Sequence, residues 1–204
     1  MKQLKIVAVV LAAGNSSRMG TSKMALPWGQ STVLETTLAH VQKANIEAVL
    51  LVTGGYAERV ESLPLVLETP RVHNENFATG EMVSSVKLAL ATLKQNDRFS
   101  TCFDAVMVLP GDMPMVTTNL LNECVEIWRK NPTRIVAPVY AGQRGHPVIF
   151  PFMLFEEFET LPAEKSPRAL LKRHQSQVLP FDLEDPAVII DIDTPAEYEK
   201  YRPR

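Results

Sequence analysis

The chain has 204 residues, 46% of them hydrophobic, enough for one α/β domain with a full core and too few for two ordinary domains. Its 21 lysines and arginines nearly balance 23 aspartates and glutamates, which argues against nucleic acid or an anionic membrane as a partner. No run approaches the roughly 20 apolar residues of a membrane span, and Cys102 and Cys124 fit neither a zinc nor a disulfide spacing, so a cytoplasmic protein with reduced thiols is expected.

The opening MKQLKIVAVVLAAG has the charge and hydrophobicity of a signal peptide's start, yet it runs into a glycine turn instead of a cleavage site and reads as a buried strand, Lys5–Leu11. A helix is predicted over Val33–Lys43, with Val33, Leu34, Leu38 and Val41 on one stripe. Strand Ala48–Thr53, helix Glu81–Lys94 and strand Ala105–Leu109 come next. That alternation predicts a mostly parallel sheet with helices on both faces, and two-sided cover accounts for strands without polar alternation. A further helix carries Leu120, Leu121, Cys124, Val125 and Trp128 on its apolar stripe. Beyond it, Arg134–Tyr140 and His146–Phe150 flank the glycine-containing turn 141–145 and read as an antiparallel pair. The expected fold is one α/β domain with a mixed sheet.

Three segments carry candidate chemistry. Strand Ile6–Leu11 runs into Ala12-Ala13-Gly14-Asn15-Ser16-Ser17-Arg18-Met19-Gly20, with Lys23 beyond. Small residues let this backbone turn sharply and approach a ligand, its N–H groups can hold phosphate oxygens, and Arg18 and Lys23 are expected as exposed cations. Neither G-x-x-x-x-G-K-[ST] nor G-x-G-x-x-G is present, so a P-loop NTPase and a dinucleotide-binding domain are both unsupported. The plain alternative is a βα turn with two solvated cations.

In the second segment, Val106–Leu109 leads into Pro110-Gly111-Asp112-Met113-Pro114. An aspartate leaving a parallel strand at the ligand end of the sheet suits a hard cation such as Mg²⁺, whereas a plain turn or a cap near Thr117 would need no ligand. The third segment, Val188–Pro195, alternates apolar and acidic residues. In a strand Asp191 and Asp193 would share a face, and adjacent carboxylates are costly without a cation. Alternatively Asp193 or Thr194 caps the helix opening at Pro195.

Taken together, LAAGNSSRMG at 11–20 with Lys23, GDMP at 111–114, RGHPVIF at 144–150 and DIDTP at 191–195 resemble the nucleotidyltransferases of molybdenum cofactor biosynthesis, most closely their cytidylyl-transferring branch. The resemblance spans nearly the whole chain. It implies a Rossmann-like nucleotidyltransferase fold, with a nucleotide-binding half over about residues 1–116 and an acceptor-binding half over about 117–204. It also implies a Mg²⁺-dependent reaction in which an NTP and a phosphomonoester give a nucleotide-linked product and pyrophosphate.

The same resemblance places the backbone of Leu11, Ala12, Ala13 and Gly14 against base and ribose, Arg18 and Lys23 on the triphosphate, and Asp112, behind Gly111, on Mg²⁺ together with Asp191 or Asp193. Segment 76–86 is similar to a family segment, G-M-x-x-S, in which the glycine admits the nucleotide and a serine meets the base. Gly80, Ser84 and Ser85 are the matching residues, with Glu81 displacing the register by one. Both serines could instead use their hydroxyls locally. Arg144 and His146 fall in the loop that would meet the acceptor's phosphate. LAAG in place of the guanylyl branch's LAGG favours CTP over GTP, because the Ala13 methyl limits how closely a purine can approach.

The implied acceptor is a molybdopterin-type phosphomonoester, with onward transfer to a molybdoenzyme. Its phosphate is already anionic, so in-line attack on the α-phosphorus needs no general base. Two rivals remain: a nucleotidyltransferase for a sugar phosphate or methylerythritol phosphate, and a non-catalytic chaperone that binds nucleotide or molybdenum cofactor.

Overall fold

The computed structural model describes residues 4–14, 19–78, 82–95, 103–162 and 168–203. Among these, the strands are β1 (Ile6–Ala12), β2 (Pro27–Trp28), β3 (Ser31–Thr32), β4 (Ala48–Thr53), β5 (Arg71–His73), β6 (Ala105–Pro110), β7 (Ile135–Tyr140), β8 (Gln143–Arg144), β9 (Val148–Pro151) and β10 (Val178–Asp182). The α-helices are α1 (Val33–Gln42), α2 (Ala57–Glu61), α3 (Pro64–Glu68), α4 (Met82–Gln95), α5 (Thr118–Lys130), α6 (Phe155–Thr160), α7 (Arg168–Arg173) and α8 (Pro195–Tyr201).

The main sheet has the order β10-β7-β9-β6-β1-β4-β5, and β8 pairs with β7. Pairing is parallel from β6 through β1 and β4 to β5 and again between β7 and β10, while β9 runs antiparallel between β6 and β7. All seven residues of β1 are buried. Ile6, Ala8, Val10 and Ala12 join one core with residues of α1 and α5, and Val7, Val9 and Leu11 join another with residues of α4, α6 and α7. Burying each such Val or Leu contributes about 1.5–3 kcal/mol, and burial on both faces removes any reason for polar alternation. No helix among the described residues is long and apolar enough to cross a membrane. Cys124 is buried, and Cys102 lies outside the described residues.

Helix caps settle two alternatives left open by the sequence. Thr117 caps α5 by accepting a hydrogen bond from the Leu120 N–H, so Asp112 is not the cap. Thr194 forms a capping box with Glu197 on α8, which leaves Asp193 outside that role.

Two local expectations require correction. The hairpin after β7 closes through Ala141 and Gly142, both at positive φ, onto the short strand β8. The chain returns as β9 only at Val148, two residues later than expected. The Val188–Asp193 segment is not a strand: Pro186–Ile189 is a 3-10 turn, and residues 190–193 are extended without joining a ladder. The segment is pinned by His146 N–H to Val188 C=O at 2.8 Å and Ile192 N–H to Asp112 C=O at 3.0 Å. Those two bonds run to different segments, so no paired edge can form.

Gly145 permits this crossing. A Cβ there would lie 2.6 Å from the Val188 carbonyl carbon and nearer still to its oxygen, whereas Gly142 has open space around it and needs only its positive φ of 81°. Gly145→Ala is therefore expected to cost about 3 kcal/mol or more from overpacking, against about 1 kcal/mol for Gly142→Ala. Denaturant unfolding of the two variants checks this; equal losses would disprove the close crossing.

Candidate active site

Strands β1 and β6 lie side by side, and the chain leaves β1 through α1 towards β4 on the opposite flank. Their carboxyl ends therefore border a topological switch point, where open α/β sheets hold ligands. Leu11 pairs with Pro110, and the Gly111 N–H donates to the Leu11 C=O at 2.8 Å, setting Asp112 beside the Ala12-Ala13-Gly14 turn.

A cleft of about 1230 Å³ opens there. Leu11, Ala13, Gly14, Lys23, Ser85 and Asp112 line it from the N-terminal half, and Arg144, His146, Asp191 and Asp193 from the C-terminal half. Residues from five separated segments thus share one cavity large enough for a small-molecule ligand. Arg18 and Gly80 lie outside the described residues.

Three candidates do not line the cleft. Ala12 points into the opposite core, as period two along β1 requires. Gly111 is a packing glycine: a Cβ would come within 2.8 Å of Leu34 Cδ1. Ser84 stands one residue before the serine that reaches the cavity, and both serines accept hydrogen bonds from Asn74. Sequence reasoning missed Arg168 and Lys172 of α7, which also line the cleft. Their i,i+4 spacing beside buried Leu170 and Leu171 was the available signal, in a helix too short to announce itself.

Lys23 corrects the expectation of an exposed cation. It lies in a 3-10 turn, Lys23–Ala25, whose Met24 and Ala25 are buried, and only 8% of its surface is exposed. Its Nζ donates to both Asp112 Oδ2 and Asp193 Oδ1. Burial alone would lower the lysine's proton affinity, but the attraction of the two carboxylates outweighs it and holds the group above the ordinary lysine range.

Asp193 and Asp191 reach the site because Ile192 is fully buried against Trp28 and Val33 on the far side. The alternation inferred from sequence survives in an extended segment without a ladder. Asp112, Asp191 and Asp193 each offer an oxygen within 4.8 Å of the others. Asp112 Oδ1 is buried without a hydrogen-bond partner among the described residues, which fits a ligand position for a hard divalent cation. Partial burial and the neighbouring carboxylates push the Asp191 carboxyl above its usual range.

His146 lines the cleft as a half-buried residue. Burial lowers its pKa to about 4, reinforced by nearby Arg168 against a hydrogen bond to the Val108 carbonyl. A neutral ring cannot ion-pair with phosphate near pH 7. Arg144 is exposed at the same rim.

Residues 8–178 match the family described as MobA-like NTP transferase domain. The chain is similar to the molybdenum cofactor cytidylyltransferase of Escherichia coli K12, at 29% identity over 195 residues covering 95% of this chain and 93% of that one. It is also similar to a probable molybdenum cofactor guanylyltransferase of Rhodopirellula baltica, at 27% identity over 94% and 89% of the two chains. Among solved structures, Rv0371c from Mycobacterium tuberculosis H37Rv superposes with a TM-score of 0.80 at 29% identity, covering 97% of each chain. A manganese complex of Rv0371C from that strain gives 0.72 at 28% identity, over 96% and 97%.

The charge arrangement predicts opposite effects of two substitutions in EDTA. Lys23→Met strands carboxylates that are partly or wholly buried and should destabilise the protein by about 3 kcal/mol. Asp191→Asn removes a repelling charge and should raise the melting temperature slightly, by about 0.5 kcal/mol in stability. Thermal melts of the metal-free variants test both signs, and an unchanged Lys23→Met would show that the ion pairs are absent in solution.

Proposed function

Because the chain belongs to the MobA-like NTP transferase family, we propose that the nucleotidyl group it transfers is CMP, taken from CTP, and that the acceptor is a molybdopterin-type phosphomonoester. The observation that carries this reading is the set of Asp112, Asp191, Asp193 and Lys23 at the carboxyl ends of β1 and β6, beside the LAAG turn. The similar protein named molybdenum cofactor cytidylyltransferase supports the choice of nucleotide and acceptor class.

Ala13 supports a pyrimidine nucleotide over GTP on physical grounds. It lines the cleft and is backed by Gly54, where an added Cβ would lie only 2.8 Å from the Ala13 Cβ. The methyl has no room to retreat from a larger base. The single-ring pyrimidine is the base that such a fixed wall admits.

Asp112, with Asp193 and Asp191, would hold Mg²⁺. When bound, the ion would neutralise phosphate charge and orient the triphosphate for displacement at the α-phosphorus. Lys23 adjoins the same carboxylates and can pass from them to the β- and γ-phosphate oxygens, offsetting the charge that collects on departing pyrophosphate. The attacking oxygen belongs to the acceptor's phosphate and carries its own negative charge, so no side chain has to remove a proton. Arg144, Arg168 and Lys172 supply positive charge where the acceptor enters, and neutral His146 contributes hydrogen bonding only.

Pyrophosphate release from each NTP, measured with molybdopterin, sugar phosphates and methylerythritol phosphate as acceptors, tests the proposal. Release is expected with CTP and molybdopterin; release only with a sugar or methylerythritol phosphate would move the chain to another pathway. CTP with Mg²⁺ should raise the melting temperature more than GTP, ATP or UTP. Asp112→Asn should abolish turnover in a folded protein. Near-normal turnover of that variant would remove the metal assignment.

A further inference from the structure

Asn74 is buried to 3% exposure and sits just beyond β5, where its N–H donates to the C=O of Thr53, the last residue of β4, at 2.8 Å. Its side-chain amide is fully committed. Oδ1 accepts from the Asn76 N–H at 3.0 Å, and Nδ2 donates to Ser84 Oγ and to Ser85 Oγ, each at 3.0 Å. The Asn76 N–H dictates which way the amide faces, because the flipped rotamer would set two donors against each other. Both Nδ2 hydrogens therefore point at serine oxygens.

A hydroxyl has one hydrogen to give. Ser85 lines the cleft at 5% exposure, and its oxygen already accepts from Asn74. Its own O–H is therefore directed to some other acceptor.

Resting on the reading of this cleft as a nucleotide site, we infer that Asn74 is a positioning residue that presets Ser85 as a hydrogen-bond donor to the nucleotide base. The hydroxyl would meet a ring nitrogen or carbonyl of the base, such as N3 or O2 of cytosine, and would reject an N–H at that position. Asn74 touches no ligand itself; it acts by removing one of the two roles a serine could adopt. Because it hangs from the end of β4, this bias is built on the sheet and not on a loop.

Asn74→Asp tests the inference with almost no change of shape. A carboxylate can only accept, so the Ser85 hydrogen would turn back to it and leave the base facing a lone pair. Titration calorimetry with CTP and with inorganic triphosphate, both with Mg²⁺, should show about tenfold weaker CTP binding for Asn74→Asp and for Ser85→Ala, with inorganic triphosphate unaffected. The double variant should be no worse than either single one, because both remove the same hydrogen bond. Losses that multiply to about a hundredfold, or equal losses for CTP and inorganic triphosphate, would overturn the inference and make Asn74 a structural residue. If Asn74→Asp does not fold, Ser85→Ala decides: no selective loss of CTP overturns the inference. Wild-type protein that binds no nucleoside triphosphate would instead overturn the functional reading on which it rests.

Discussion

The arrangement depends on one ammonium group held between two carboxylates. Lys23, Asp112 and Asp193 are separated by 89 and 170 positions along the chain, yet a single Nζ joins them. Three carboxylates drawn together out of bulk water repel and are poorly solvated, so the cluster needs a cation. Each partner is fixed by an apolar neighbour: Met24 beside Lys23, Met113 beside Asp112 and Ile192 beside Asp193 are all buried. Hydrophobic burial thus holds an electrostatic cluster that would not assemble by itself.

Much of the fold was legible because its central elements are long and strongly patterned. β1, β4 and β6 are continuous apolar runs, and α1, α4 and α5 are helices of ten residues or more with an apolar stripe. Elements that sequence reasoning did not find are short or masked by composition. α2 and α3 have five residues each, β5 has three, and β10 carries Pro180 in an edge strand where a missing N–H costs nothing. For the candidate site, Asp112 was identifiable as an acid at a strand-end turn, and Asp191 and Asp193 as acids alternating with apolar residues. The burial of Lys23 was not, since it stems from an aspartate that only the tertiary fold brings near. The packing role of Gly111 was hidden for the same reason, as its constraint comes from Leu34 on another element.

The cleft is electrostatically polarised. Negative charge gathers at the sheet ends around Asp112, while Arg144, Arg168 and Lys172 stand exposed on the hairpin β7–β8 and on α7. The acidic end sits just past the end of β6 and on the 190–193 segment, which the Ile192 N–H ties to the Asp112 C=O. The basic end rides on peripheral elements with long, flexible side chains. A buried acidic pole suits one fixed geometry, and an exposed basic pole suits attraction of an anion before it is seated.

The segment carrying Asp191 and Asp193 has a consequence for biosynthesis. β1, β4, β5 and β6 can pair as soon as Pro110 has been made, since each finds its parallel partner within that stretch. Asp193 and the Ile192 wedge against Trp28 come about 80 residues later in the chain. A nascent chain can therefore own half of its main sheet while the cluster at its mouth still lacks two of its three carboxylates. Chains that stop between Pro110 and Asp191 would lack the completed charge cluster, so the order of synthesis itself postpones assembly of the site until residue 193 has been made.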